Sequence, residues 1–143
     1  MLAATNVAGD AVRHTMSTSG ELIVRDNAVP ELTWNYAAAS GGILNSTAAV
    51  TARTAVASQR GNITSLQLMA EALGTATEFA IRDGTAGPVL WRTKIPTGGL
   101  PSTPFTFDPP LRQAAVNTLI EIVTLTASGT GAVYANLQGF MSN

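Results

Sequence analysis

Residues 77–95 read TEFAIRDGTAGPVLWRTKI, and this stretch describes a β-hairpin almost completely. A Gly-rich connection at 83–87 opens with Asp-Gly, which is typical of a tight turn between antiparallel strands. On each side of the connection, apolar residues alternate with polar ones. The apolar set is Phe79, Ile81, Val89, Trp91 and Ile95. The stretch therefore predicts two strands with one buried face and one face in water.

The same alternation recurs along the rest of the chain between Gly- and Pro-containing turns. Further strands are predicted at 32–36, 48–58, 62–69, 105–107, 117–126 and 132–141, with a loop at 97–104. Residues 66–73 also fit a helical period, but strand is favoured at 62–69 because the hairpin needs an antiparallel neighbour. We predict an all-β fold, a single jelly-roll-like β-sandwich of about eight antiparallel strands.

Residues 1–30 differ from the remainder in having little apolar periodicity. Their clearest β-like run is Leu22, Ile23 and Val24, which predicts a small edge strand near 21–25. We expect an extended N-terminal arm over 1–30, followed by the sandwich domain over 31–143. Because the arm cannot form a core of its own, Leu22, Ile23 and Val24 are candidate interface residues.

Composition limits the classes of partner. Only 12% of the residues are charged, the formal net charge is −1, and there is no cysteine. Nucleic-acid and membrane-surface binding both require clustered Lys and Arg, so neither is expected. Neither a signal peptide nor a membrane span is recognisable, which predicts synthesis in a cytoplasm. A weakly charged surface is poorly protected against association, so we expect a homo-oligomer.

Catalytic and metal sites are not expected. The single histidine, His14, lies in the arm without a recognisable nucleophile or carboxylate partner. The carboxylates of the domain are isolated in sequence, at Glu71, Glu78, Asp83, Asp108 and Glu121, and form no calcium-loop pattern. Asp83 and Gly84 are interpreted as turn residues, and the Gly129 and Gly131 region as a hairpin connection. We predict no enzymatic activity, no cofactor and no metal.

Aromatic side chains leave two interpretations open. Trp34, Tyr36, Trp91, Tyr134 and Phe140 together suggest a surface on which sugars stack. Trp91 shares its predicted face with core residues, which favours burial. Tyr134 and Phe140 lie on the face opposite Val133 and Leu137, which also suits a subunit interface. Both are therefore candidate interface residues.

Three segments together resemble small virion proteins of tailed bacteriophages, of the head decoration or head-fibre type. They are FAIRDGTAGPVLWR at 79–92, FTFDPPL at 105–111 and GAVYANLQGF at 131–140. The resemblance covers about residues 60–142 and extends more loosely over 31–59. It implies a β-sandwich that assembles, often as a trimer, on the major capsid protein. No functional residue carries over from it.

We therefore expect a capsid decoration protein at the capsid surface, which binds the major capsid lattice and stabilises it. A symmetric oligomer would engage several capsid sites at once and gain affinity by effective concentration. The first alternative is a glycan-binding module of a tail fibre or baseplate. A weaker alternative is a hydrolase on a β-sandwich.

Overall fold

The computed structural model describes Thr15–Met16, Leu22–Ile23 and residues 32–143. The described chain consists mainly of strands joined by turns. They are β1 (Thr15–Met16), β2 (Leu22–Ile23), β3 (Thr33–Tyr36), β4 (Ile43–Leu44), β5 (Val50–Arg53), β6 (Arg60–Ala70), β7 (Thr77–Asp83), β8 (Val89–Ile95), β9 (Leu100–Arg112), β10 (Ile120–Thr124) and β11 (Ala132–Ser142).

Eight of these strands, β3 and β5 to β11, form two antiparallel sheets. One sheet has the order β5-β10-β7-β8, and the other has the order β3-β11-β6-β9, with β4 paired beside β11. In chain order the outermost of these eight strands pair first: β3 pairs with β11, β5 with β10, β6 with β9 and β7 with β8. Such a set of nested pairs, folded over on itself, is a jelly roll. The predicted all-β sandwich is confirmed.

The core lies between the two sheets and is formed by the residues that alternate inward along the strands. In β6, for example, Leu66 and Leu68 are buried in the core, whereas Gln67 and Met69 are exposed. The largest fully buried apolar side chains are Phe79, Ile63, Leu66, Leu68, Ile81, Ile95, Ile120, Ile122, Leu137 and Val133. Burial of each such side chain contributes about 2 kcal/mol. Residues 60–70 form one continuous strand, so the strand interpretation of 62–69 is confirmed.

Aromatic side chains close one open side of the sandwich, where the edge strands β8 and β9 face each other. The ring centroid of Trp91 lies 4.9 Å from that of Phe105 and 5.9 Å from that of Phe107, both in edge-to-face geometry. Such pairs add about 1 kcal/mol beyond the area that they bury. Trp91 thus joins the core from the edge and remains partly exposed.

The predicted loop at 97–104 is confirmed only at 97–99, and the short strand predicted at 105–107 is part of a much longer strand. Residues 100–107 all belong to β9, a continuous strand of 13 residues. Four prolines are accommodated in it because β9 is an edge strand that pairs only with β6. A proline in an edge strand can turn its nitrogen away from the partner strand, so no ladder hydrogen bond is lost.

Two other strand predictions need correction. A register shift between Ile81 and Arg82 interrupts the hairpin ladder, and it leaves Val89 44% exposed rather than on the core face. The predicted strand at 48–58 is only β5, although Val56 still packs against the core from the following loop.

The glycine-containing connection at 128–131 is not a hairpin. It joins β10 of the four-stranded sheet to β11 of the five-stranded sheet. Gly129 and Gly131 both have positive φ, at 73° and 76°, which glycine adopts at little cost. The chain therefore crosses between the two sheets at this point.

In the arm, β1 and β2 form a two-stranded antiparallel sheet, in which Thr15 lies opposite Ile23 and Met16 opposite Leu22. The strand at Leu22–Ile23 falls within the predicted range of 21–25. Val24 and His14 lie outside the described residues. The boundary between arm and domain stays a prediction, but the eight jelly-roll strands run from Thr33 to Ser142.

Candidate functional site: the outer face of the five-stranded sheet

The outer face of the five-stranded sheet is built from the residues of β3, β11, β6 and β9 that alternate with the core residues. Cross-strand register places Asn35, Gln138, Ser65 and Thr106 in one row and Asn136, Gln67 and Pro104 in the next. Tyr134 and Met69 form a third row. We call these three rows, with Ser102, the amide face. None of these side chains carries a charge.

Hydrogen bonds hold the amide side chains of this face in place. The backbone N–H of Ala38 donates to Oδ1 of Asn136 at 2.9 Å. The hydroxyl of Ser65 donates to Oε1 of Gln138 at 3.3 Å. Nε2 of Gln67 donates to the Ser102 hydroxyl at 2.9 Å. The amides are therefore oriented by the protein before any ligand arrives.

A shallow, open depression with a volume of about 240 Å³ lies in the middle of the amide face. Ser65, Gln67, Asn136, Gln138, Pro104 and Thr106 line it, together with Leu66 and Phe105. We call it the amide depression. It is smaller than the roughly 300–1,000 Å³ that is usual for small-molecule pockets, so it suits a ligand that lies on the sheet rather than inside it.

Apolar side chains border the amide face at one corner. Leu44 is 60% exposed and lies opposite Ala132 at the start of β11. Met69 is 36% exposed, and its cross-strand partner is Tyr134. The Tyr134 hydroxyl donates to Oε1 of Glu71 at 3.5 Å. Exposed Leu and Met side chains near a half-buried Tyr are typical of protein interfaces.

The outer face of the four-stranded sheet is charged. It presents Glu78, Arg82, Arg92 and Lys94, and Arg92 lies 3.7 Å from Glu78 in an exposed ion pair. Ala80 and Val123 lie side by side in register between these charges and are buried. The strand predicted at 117–126 is shorter in the structure, where β10 spans Ile120–Thr124, and all five of its residues are buried.

A buried polar cluster lies at the end of β7. The Asp83 carboxylate accepts hydrogen bonds from Nε2 of Gln113 at 2.9 Å, from the Thr118 hydroxyl at 2.8 Å and from the backbone N–H of Ala114 at 2.7 Å. Oε1 of Gln113 accepts from the backbone N–H of Gly61 at 2.6 Å. Asp83 is thus more than the turn residue that its Asp-Gly context predicts, because it connects the loop after β9 to the four-stranded sheet. Gly84 has the positive φ expected of the turn.

The predicted site residues fall into separate groups. Tyr134 lies on the amide face, and Phe140 lies one row beyond it on the same side of the sheet, opposite Asn62. Trp34 and Tyr36 pack with the core, as Trp91 does, so the five aromatics form no common platform. Leu22 and Ile23 lie in β2, which pairs with β1 and with no strand of the two larger sheets.

Two further carboxylates accept backbone hydrogen bonds. Oε2 of Glu121 accepts from the backbone N–H of Ala86 at 3.0 Å, and Oε2 of Glu71 accepts from that of Ala132 at 3.1 Å. Among the residues that the structure describes, no three His, Cys, Asp or Glu side chains come together as a metal site. The same residues include no helix that is long and apolar enough to cross a membrane. No family model and no curated protein matches the chain.

Sequence reasoning missed the amide face. Its signal was present in the polar positions of two predicted strands, which carry Ser65, Gln67, Asn136 and Gln138 but no charge. What the sequence could not supply was the strand order, which places β11 beside β6 although residues 71–131 separate the two strands in the chain. The amides form one surface only because of that pairing.

Proposed function

We propose that this chain is a structural virion protein that decorates the capsid and stabilises the major capsid lattice. The observation that carries the proposal is that all four nested strand pairs of the jelly roll are formed between Thr33 and Ser142. The predicted arm therefore precedes a complete set of jelly-roll strands, as a docking arm would. Jelly rolls recur in viral capsid proteins, and the resemblance to head decoration proteins supports the same role.

The arm supplies the attachment in this proposal. Leu22 and Ile23 already adopt a strand, and with Val24 they would extend a sheet edge of the capsid protein. Ordering an arm costs conformational entropy, so one arm binds weakly. Several arms on one oligomer, a trimer in our proposal, raise the affinity by effective concentration. The protein would be made in the host cytoplasm and end at the capsid surface.

Co-sedimentation with capsids that lack the protein tests the proposal. Wild-type chain is expected to sediment with the capsids, whereas Leu22→Asp, Ile23→Asp and Val24→Asp together should abolish binding. Ser40→Asp, Thr47→Asp and Thr54→Asp, at three exposed loop positions, add the same charge as a control and should leave binding intact. Absence of wild-type binding, or full occupancy by the arm variant, would contradict the proposal.

The amide face favours a second candidate, a glycan-binding adsorption module of a tail fibre or baseplate. Position on the virion separates the two candidates. Imaging of virions that carry a labelled chain should show label over the whole shell for a decoration protein. Label confined to the tail tip would favour the adsorption module.

A further inference from the structure

Each anchored amide of the amide depression has a second hydrogen-bonding group that points away from its anchor. Among the described residues, Nδ2 of Asn136 and Nε2 of Gln138 donate no hydrogen bond, and Oε1 of Gln67 accepts none. The Thr106 hydroxyl, which also lines the depression, is exposed. The depression therefore offers two amide donors, an amide acceptor and a hydroxyl from a rigid sheet.

We propose that the amide depression binds an uncharged glycan. A sugar hydroxyl both donates and accepts hydrogen bonds, so adjacent hydroxyls match an array that contains both kinds of group. The residues that line the depression include no Lys or Arg. A carboxylated or sulfated sugar would therefore lose water around its charge without gaining a cationic partner. Neutral sugars are the class that this surface complements.

The shape of the site agrees with its chemistry. The depression is open and shallow, so one or two sugar rings would lie flat across β11, β6 and β9. Pro104 is exposed at its margin and presents an apolar ring to the C–H face of a sugar. Hydrogen bonds between neutral groups contribute only about 1 kcal/mol each, so a single site should bind with a dissociation constant of about 1 mM. An oligomer would raise the avidity.

Glycan binding by the isolated full-length chain tests this inference independently of any role in the virion. The probes are an array of neutral oligosaccharides of glucose, galactose, mannose and N-acetylglucosamine, with sialylated and sulfated counterparts. The strongest neutral binder is then titrated into isotope-labelled protein and followed by NMR. We expect binding to neutral members only, with shift changes at the residues of the depression.

Isosteric variants identify the groups that bind. Gln138→Glu and Asn136→Asp each replace a free amide donor with a carboxylate oxygen, and each should weaken binding about tenfold. Gln59→Glu, in the turn before β6, makes the same chemical change outside the depression and should leave binding unchanged. Unchanged thermal midpoints show that the variants fold.

Several outcomes would overturn the inference. They are no neutral binder on the array at about 1 mM, a preference for acidic glycans, and equal binding by Gln138→Glu and Gln59→Glu. Self-association that Gln138→Glu disrupts, without any glycan binding, would instead assign the amide face to a second copy of the chain.

Discussion

The two sheets of this jelly roll have similar inner faces and opposite outer faces. Inward residues of both are apolar and interlock in one core. The outer face of the four-stranded sheet carries four charged side chains around Ala80 and Val123, whereas the amide face of the five-stranded sheet carries amides, hydroxyls, Tyr134 and Met69 without a charge. The core constrains only the inward residues, so folding does not explain this difference. The glycan binding proposed above would account for a surface without charge over these three rows.

The largest effect should come from the backbone beneath the amide face. A Cβ on Gly139 would collide with the backbone oxygen of Asn62 and lie 2.7 Å from the Trp34 ring. Gly139→Ala should therefore lower the free energy of unfolding by about 3 kcal/mol and the thermal midpoint by about 10 °C. Gly98→Ala is the control, because a Cβ there meets nothing within 4 Å.

Thermal denaturation of both variants measures this difference. The backbone displacement that a Cβ at Gly139 forces should also disturb Gln138, the neighbouring residue at the register shift of β11. Gly139→Ala should therefore also weaken glycan binding. Equal midpoints for Gly139→Ala and Gly98→Ala would mean that the close packing of Trp34 on β11 is not rigid.

A substitution in the Asp83 cluster destabilises the four-stranded sheet instead of the amide face. Asp83→Ala removes the acceptor of three hydrogen bonds and should cost about 2 kcal/mol, measured by urea denaturation. Glu78→Ala on the same strand, whose side chain is 44% exposed, should cost much less. Because the cluster is remote from the amide depression along the strands, Asp83→Ala should leave glycan binding intact. Loss of binding in a folded Asp83→Ala variant would contradict the separate roles of the two sheets.

The smallest effect is expected on the charged face itself. Arg92→Ala breaks the ion pair with Glu78, in which the Arg92 side chain is 65% exposed. Exposed pairs contribute less than about 1 kcal/mol and are screened by salt. The expected change in unfolding free energy is therefore near the error of the measurement, and it should vanish in about 1 M salt. A loss comparable to that of Asp83→Ala would show that this face is structural rather than solvated.

Much of the fold was predictable because strand alternation and turn residues are local. The hairpin at 77–95, the strand at 62–69 and the central strand β10, which lies within the predicted range of 117–126, all follow from neighbouring residues. The length of β9 does not follow from neighbouring residues. Its prolines are tolerated only in an edge strand, and its edge position depends on its pairing with β6, which is distant in sequence. The same holds for Val89, whose exposure depends on a register shift opposite Ile81 and Arg82.

The candidate site was less predictable than the fold. Aromatic residues suggested a sugar platform, but only Tyr134 among the five lies on the amide face, since Trp34, Tyr36 and Trp91 complete the core. The amides that form the depression come from β6 and β11, whose adjacency no local pattern indicates. Asp83 likewise gains its role from Gln113 and Thr118, which lie 30 and 35 residues away.

The most direct test of the contrast between the two outer faces uses the absence of cysteine from the chain. Thr106→Cys on the amide face and Thr51→Cys on the four-stranded face introduce single thiols at exposed positions. Each variant is labelled with a bulky, uncharged maleimide polymer, and binding of the strongest neutral oligosaccharide is measured before and after labelling. The label at position 106 should abolish binding and the label at position 51 should leave it unchanged. Equal binding by the two labelled proteins would contradict the assignment of the amide face as the binding surface.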